Sequence, residues 1–406
     1  MSVLIKIFTG LASSKILALM VGPAGLALTG NLRNFLTSLE GIATLGIQNG
    51  VVKQIAANKE NPDQLKKIIA SVFILLLSVS VFLGFGLIVL GQSLNDAVFG
   101  SQEHFQNLFL VLGLSLPFYI CGMVLTYFIN GLGQYQRVIW INIWGNVLAL
   151  GFTFWAVNEF KTFGALLSLI IPPAILFWIS WFQLNRIIDF KNYLRQHYFD
   201  FKVIKNLSSY ALMTLVSAVV GSWTLLMIRQ NLIHNSGMEQ AGFWEAMSRI
   251  SGFYLLFIST VLTVYFYPKL SAATSDIATR NIFMSYYKGI LPVFAVGLFF
   301  IFLLRNQLIA ICFTDDFASV SDLFFWQLLG DFFKAASLIL GYQLLAKQRT
   351  LAYIMSEVFS LILLASVAYI LSPMFGAKGV VMAYAVDYFV YFLVLVVYFR
   401  KALFSK

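Results

Sequence analysis

Apolar residues run for about twenty positions at a time along this chain, and short polar connections interrupt them. A helix rises about 1.5 Å per residue, so such a run matches the roughly 30 Å hydrocarbon core of a bilayer. The pattern predicts twelve spans, at 3–22, 26–51, 67–91, 106–129, 137–157, 163–185, 207–230, 241–267, 286–304, 322–345, 351–371 and 378–399. The expected fold class is an all-α polytopic membrane protein. The first run carries Lys6 and Lys15, lacks a small-residue cleavage site, and reads as a span rather than a signal peptide.

The connections set the orientation. With the N-terminus in the cytoplasm, one set of connections and the C-terminal tail hold eighteen Lys and Arg, including Arg195 and Lys406. The other side holds four: Lys161, Arg229, Arg305 and Lys378. By the positive-inside rule this imbalance predicts both termini inside. The longest hydrophilic connection, 186–206, lies between spans six and seven. It predicts an N-terminal lobe over 1–190, a cytoplasmic linker over 191–206 and a C-terminal lobe over 207–406. A faint repeat agrees: "PAGLALTGNLRNF" (23–35) resembles "QAGFWEAMSRISGF" (240–253) at an offset of 217, and "FGALLSL" (163–169) resembles "KGVVMAY" (378–384) at 215. A duplicated 6+6 transporter is expected. Pro117, Pro172, Pro173 and Pro292 fall inside spans and are expected to bend them, as packing geometry or as hinges.

Polar residues within the spans fall into stripes. At about 100° per residue, Gln327, Gly330, Asp331, Lys334, Ser337 and Gly341 share one side of span ten. Thr29, Arg33, Thr37, Glu40 and Thr44 share one side of span two, and Glu245, Arg249, Gly252, Ser259 and Thr263 one side of span eight. Lipid cannot satisfy such groups, so they face protein or a water-filled cavity. Each stripe has two readings. One is a structural lock, Asp331 with Lys334 or Glu245 with Arg249. The other is a polar cavity drawn from both halves, lined by Lys15, Arg33, Arg249 and Lys334 and suited to an anion. Thr37 and Gln327 add uncharged hydrogen-bonding side chains to the same stripes. Glu40, Asp331, Glu357 and Asp387 are candidates for coupling or charge balance.

Composition narrows the function. The chain has 406 residues, is 60% hydrophobic and 11% charged, and has a mean hydropathy of +0.85. Soluble domains carry about 25% charged residues, so no sizeable soluble domain is expected. The net charge of +10 follows from the positive-inside bias and implies no nucleic-acid partner. Cys121 and Cys312 make no disulfide framework. His104, His197 and His234 fall in predicted loops without metal-ligand spacing, so neither a metal nor a cofactor is expected. No G-x-x-x-x-G-K-[ST] loop occurs, and "TDDF" (314–317) reads as a solvated outer loop. No catalytic constellation stands out, and the chain does not read as an enzyme.

Three stretches carry a family likeness: "GPAGLALTGNLRNFLTSLEGIATLGIQNGVVK" (22–53), "DLFFWQLLGDFFKAASLILGYQLLAK" (322–347) and "YIMSEVFSL" (353–361). In them, and in its twelve-span pattern, the chain resembles the Wzx-type flippases, the polysaccharide exporter branch of the multidrug/oligosaccharidyl-lipid/polysaccharide superfamily. The resemblance implies a bacterial inner-membrane protein that moves an undecaprenyl-pyrophosphate-linked oligosaccharide, of the O-antigen or enterobacterial common antigen kind, from the cytoplasmic to the periplasmic leaflet by alternating access. Membrane lipid, a coupling ion (H+ or Na+), a polysaccharide polymerase and a chain-length regulator are the partners it implies. Arg33, Asp331, Lys334 and Glu357 lie within the matching stretches; Glu40 and Arg249 are not residues expected across the family. The alternative is an ion-coupled multidrug exporter of the same fold, which would want net-acidic walls.

Overall fold

The computed structural model describes residues 2–194 and 198–404. Arg195, His197 and Lys406, which the charge and histidine patterns include, lie outside the described residues. Helices account for nearly all of the chain: α1 (Ser2–Ala43), α2 (Gln48–Asn58), α3 (Pro62–Val89), α4 (Gly91–Val98), α5 (Gln106–Gly131), α6 (Tyr135–Leu167), α7 (Ile171–Asn185), α8 (Phe190–Tyr193), α9 (Phe201–Ser236), α10 (Met238–Val261), α11 (Tyr267–Ala272), α12 (Asp276–Ser285), α13 (Leu291–Leu303), α14 (Arg305–Cys312), α15 (Phe324–Ala346), α16 (Thr350–Phe375), α17 (Ala377–Tyr398) and α18 (Arg400–Phe404). Short π-helical turns, Leu262–Phe266 and Tyr286–Ile290, join α10 to α11 and α12 to α13.

Among the described residues, ten helical stretches are long and apolar enough to cross a membrane. Two of them break internally. α1 breaks at Gly22 (φ 65°, ψ −168°), just before Pro23, where spans one and two were expected to meet. α6 breaks at Lys161 (φ 50°, ψ −125°), and the residues after the break run on toward α7. Counting α1 as two spans, and the stretch from Lys161 through α7 as one more, gives the expected twelve. Pro117 sits within α5 and Pro172 in the first turn of α7, where the missing N–H costs nothing, whereas Pro292 lies inside a continuous helical run, directly after the π-helical turn Tyr286–Ile290. His234, expected in a loop, is in the last turn of α9.

The chain forms two compact units. The first runs to Val21 and resumes over Asn31–Trp223; the second takes Gly22–Gly30 and the chain from Thr224 onward. In the first, α5 packs on α2, α3 and α7, with Leu108, Phe109, Leu112 and Phe128 fully buried. In the second, α17 lies against both α15 and α16, and α10 packs on α15 and α17.

The repeat is visible in the backbone. Gly22 and Gly237, Gly133 and Gln348, and Lys161 and Gly376 all have positive φ, and every one of these pairs shares the offset of the "FGALLSL"/"KGVVMAY" likeness. Asn61 caps α3 through Gln64 N–H, and Ser275, one position short of the same offset, caps α12 through Ala278 N–H. The two members of that likeness also pack alike: Gly164 lies against the Ala156 carbonyl and Gly379 against that of Leu371. The Ala-Gly likeness does not share this register. The helices after Gly22 and Gly237 start in step, so that match is slipped by two positions.

Lys161 holds a conformation that glycine adopts at its repeat partner, Gly376 (φ 58°, ψ −138°). A side chain there is strained by about 1–3 kcal/mol. Glycine returns up to about 1 kcal/mol of that through the entropy of the unfolded chain. Lys161→Gly is therefore expected to stabilise the protein by about 1 kcal/mol, read as a higher Tm in detergent. An unchanged or lower Tm would mean that Lys161 is not strained.

Candidate functional site

Two buried polar groups occupy the second unit, and α10 contributes to both. Glu245 and Arg249 lie one turn apart on one side of α10; Ser251 and Tyr254 lie roughly opposite, at about 100° per residue. α10 therefore carries two polar faces, of which the sequence pattern revealed one.

The first group centres on Glu245, which is 2% exposed. Its Oε1 accepts from Arg249 Nε at 3.0 Å, and its Oε2 pairs with Arg229 Nη2 at 2.9 Å. Arg249 Nη2 also donates to Thr29 Oγ1 at 3.0 Å. Arg229 Nη1 donates to the Ala27 carbonyl at 3.4 Å, and its guanidinium lies 4.8 Å from the Trp244 ring. Gly30 is what lets the guanidinium in: a Cβ there would stand 1.6 Å from Arg229 Nη1. Arg229 corrects the sequence reading. It was assigned to the outer connections, yet it lies inside α9, which runs on past the expected span end to Ser236, and it is 3% exposed.

The second group centres on Asp331, fully buried on α15. Its carboxylate accepts from Ser251 Oγ at 2.8 Å, from Tyr384 OH at 2.7 Å, from Gln327 Nε2 at 3.3 Å and from the Tyr254 hydroxyl. Gln327, Asp331 and Lys334 follow one another at i, i+4 and i+7, so one helix face presents all three. Among the described residues Lys334 makes no ion pair within 4.0 Å. Its ammonium rests instead 5.5 Å and 4.9 Å from the rings of Tyr384 and Tyr388 on α17. Asp331, Glu357 and Asp387 all lie close enough to act on it electrostatically. Asp387, 1% exposed, is held by Ser360 Oγ at 2.9 and 3.0 Å from its two oxygens.

In the first unit, Lys15 and Arg33 are half-buried, and Thr37 is exposed with its hydroxyl donating to the Arg33 carbonyl at 2.9 Å. Glu40 accepts from the Tyr119 hydroxyl, with Tyr127 close by.

Of the expected residues, Gln327, Asp331 and Lys334 come together with Glu357 and Asp387, and Arg249 joins Glu245. The Asp331–Lys334 lock, one of the two readings of that stripe, is not formed within 4.0 Å, and hydroxyl and amide donors surround the carboxylate instead. The Glu245–Arg249 pair is formed, within a triad. Sequence reasoning missed Arg229, Ser251, Tyr254, Tyr384 and Tyr388. A signal for two of these was present: Tyr384, Tyr388 and Tyr391 recur at i, i+4 and i+7 around Asp387. In the second unit these groups join three cations, Arg229, Arg249 and Lys334, to four acids, Glu245, Asp331, Glu357 and Asp387, so its polar interior is mixed rather than simply cationic.

No protein-family model matches the chain. It is 32% identical to the curated lipid III flippase of Escherichia coli (strain K12) over 394 residues, which cover 96% of this chain and 94% of that one. Its fold is similar to that of a multidrug resistance MATE family transporter of the MOP superfamily. The inward-facing conformation of that transporter superposes with a TM-score of 0.84 at 14% identity, covering 99% of this chain and 96% of the other. The outward-facing conformation gives 0.69 at 15% identity, covering 99% and 95%. At such identities these likenesses carry the fold and not the substrate.

Proposed function

Since the chain belongs to the Wzx-type lipid III flippases, multi-pass proteins of the bacterial inner membrane, we propose that it moves an undecaprenyl-pyrophosphate-linked oligosaccharide from the cytoplasmic to the periplasmic leaflet by alternating access. The physical obstacle is the head group. Sugars and pyrophosphate cannot cross about 30 Å of hydrocarbon without polar partners, whereas the polyprenyl tail can stay in lipid. Lys334 and Arg249 meet the pyrophosphate, with Lys15 and Arg33 of the first unit as further cations. Gln327 and Thr37 meet sugar hydroxyls. Glu40, Asp331, Glu357 and Asp387 are the groups through which a coupling ion, H+ or Na+, would act.

One observation carries this reading. The Lys334 ammonium sits over two tyrosine rings and makes no ion pair among the described residues, while its neighbour Asp331 accepts from other donors. Such an ammonium is electrostatically available to an incoming phosphate. The test is Lys334→Ala in a strain lacking its own flippase, with protein abundance checked. The expected result is normal abundance, accumulation of the lipid-linked oligosaccharide inside and a loss of surface glycan of tenfold or more, on the order of one charge-assisted contact. Wild-type surface glycan would remove Lys334 from the transport site.

The four acids beside three cations in the second unit, and the Tyr384–Tyr388 pair, also suit an organic cation. A multidrug exporter is therefore the second reading. Resistance to cationic drugs that depends on the gene, with no change in surface glycan, would favour it.

A further inference from the structure

Apart from both polar groups, the second unit contains a pocket of about 870 Å³ lined by residues of the α11–α12 junction, the α15–α16 connection and the chain leading into α18. Lys347, Arg349 and Lys401 line it against a single acid, Asp276. Lys347 is held in place, its Nζ donating to the Ser271 carbonyl at 3.0 Å and to that of Ala273, at the end of α11. Two of its three N–H bonds are thereby used and its charge is fixed at the pocket. Ser275 and the first turn of α12 form part of the wall, adding the positive end of a helix dipole beside Asp276.

The pocket also offers an acceptor. Gln343 lines it, is 6% exposed, and among the described residues its Oε1 has no hydrogen-bond partner. A buried acceptor without a donor is costly, and a ligand hydroxyl would satisfy it. Tyr398 and Phe399 supply an apolar wall. The basic cluster is not simply duplicated: Lys401 has the basic repeat equivalent Arg186, but those of Lys347 and Arg349 are the neutral Leu132 and Gln134.

We propose that this pocket binds the head group of an anionic glycerophospholipid of the phosphatidylglycerol type. The phosphodiester meets Lys347, Arg349 and Lys401, a glycerol hydroxyl donates to Gln343 Oε1, and the glycerol backbone and upper acyl chain lie on Tyr398 and Phe399. This end of the unit also bears Lys269, Arg280 and Arg400, so charge assigns it to the anionic cytoplasmic leaflet.

The test uses the purified full-length protein in detergent, titrated separately with short-chain phosphatidylglycerol, short-chain phosphatidylcholine and inorganic phosphate. Binding is read by native mass spectrometry and by thermal shift. Arg349 and Lys401 are both exposed, so an Arg349→Glu/Lys401→Glu variant should fold. It is expected to bind phosphatidylglycerol roughly tenfold or more weakly than the wild type, the effect of losing two basic contacts. Gln343→Met keeps the volume without the polar atoms; it is expected to keep the lipid-free Tm and also bind phosphatidylglycerol more weakly. Equal phosphatidylglycerol affinity in wild type and both variants overturns the site. Equal binding of phosphatidylcholine overturns head-group selection, and inorganic phosphate binding as tightly as phosphatidylglycerol overturns the assignment to lipid.

Discussion

Replacing Glu245 with alanine is expected to cost about 3–5 kcal/mol, the usual penalty for breaking a buried ion pair by removing one partner. Here the single carboxylate serves two guanidiniums, Arg229 at 2.9 Å and Arg249 at 3.0 Å. Without it, two cations stay in a lipid-embedded interior with no counter-charge between them. Arg249 is 10% exposed along its side chain and can turn partly to water; Arg229, at 3%, cannot. Total stabilities are about 5–15 kcal/mol, so the variant is expected to lose most of its membrane abundance and to unfold at a markedly lower Tm in detergent. Adding Arg229→Met should restore part of the loss, since removing both charges avoids the stranded ion. A Glu245→Ala protein with wild-type Tm and yield would show that the triad stabilises nothing.

Asp331→Leu is expected to destabilise by about 1–3 kcal/mol for each buried donor that it strands, and Lys334→Ala by much less. The asymmetry follows from the partners. Asp331 accepts from Ser251, Gln327, Tyr254 and Tyr384. Ser251 and Gln327 are buried and cannot reach water, so Ser251 is stranded and Gln327 keeps only its 3.4 Å bond to Ser251 Oγ; the two half-buried tyrosines can recover part of their loss. Among the described residues Lys334 makes no ion pair to lose; it rests on the Tyr384 and Tyr388 rings. Thermal unfolding of the two purified variants decides the matter. Equal losses of Tm would mean that the two residues do form a lock, contrary to the way the donors surround Asp331.

Asp331 and Glu245 do different jobs that the sequence pattern left joined. Asp331 and Lys334 are three positions apart on one helix face, and a linear reading offers them to each other first. Glu245 and Arg249, four apart, are offered to each other in the same way and do pair, because their side chains meet along one helix. What neither spacing contains is the third party. Arg229 comes from α9 and the Asp331 donors from α10 and α17 as well as from α15 itself. Arg229 was also hidden by its position near a span end, where a basic residue ordinarily marks a connection. The mixed charge of the interior was similarly obscured: Glu357 and Asp387 were visible as acids, but that they bear on the same ammonium as Asp331 depends on α16 and α17 lying beside α15.

The sequence by itself determined the spans, the internal duplication and, Arg229 apart, which residues place charge among these helices. These are local properties. A run of about twenty apolar residues is a span wherever it falls, and a helix face follows from about 100° per residue. Only the tertiary structure decided which buried charge answers which. A carboxylate takes whatever donors the neighbouring helices bring within about 3 Å, and a one-dimensional period carries no information about the helix next door. For that reason Asp331 could be placed on its polar face from the sequence, while its release of Lys334 could be seen only once α10 and α17 were packed around it.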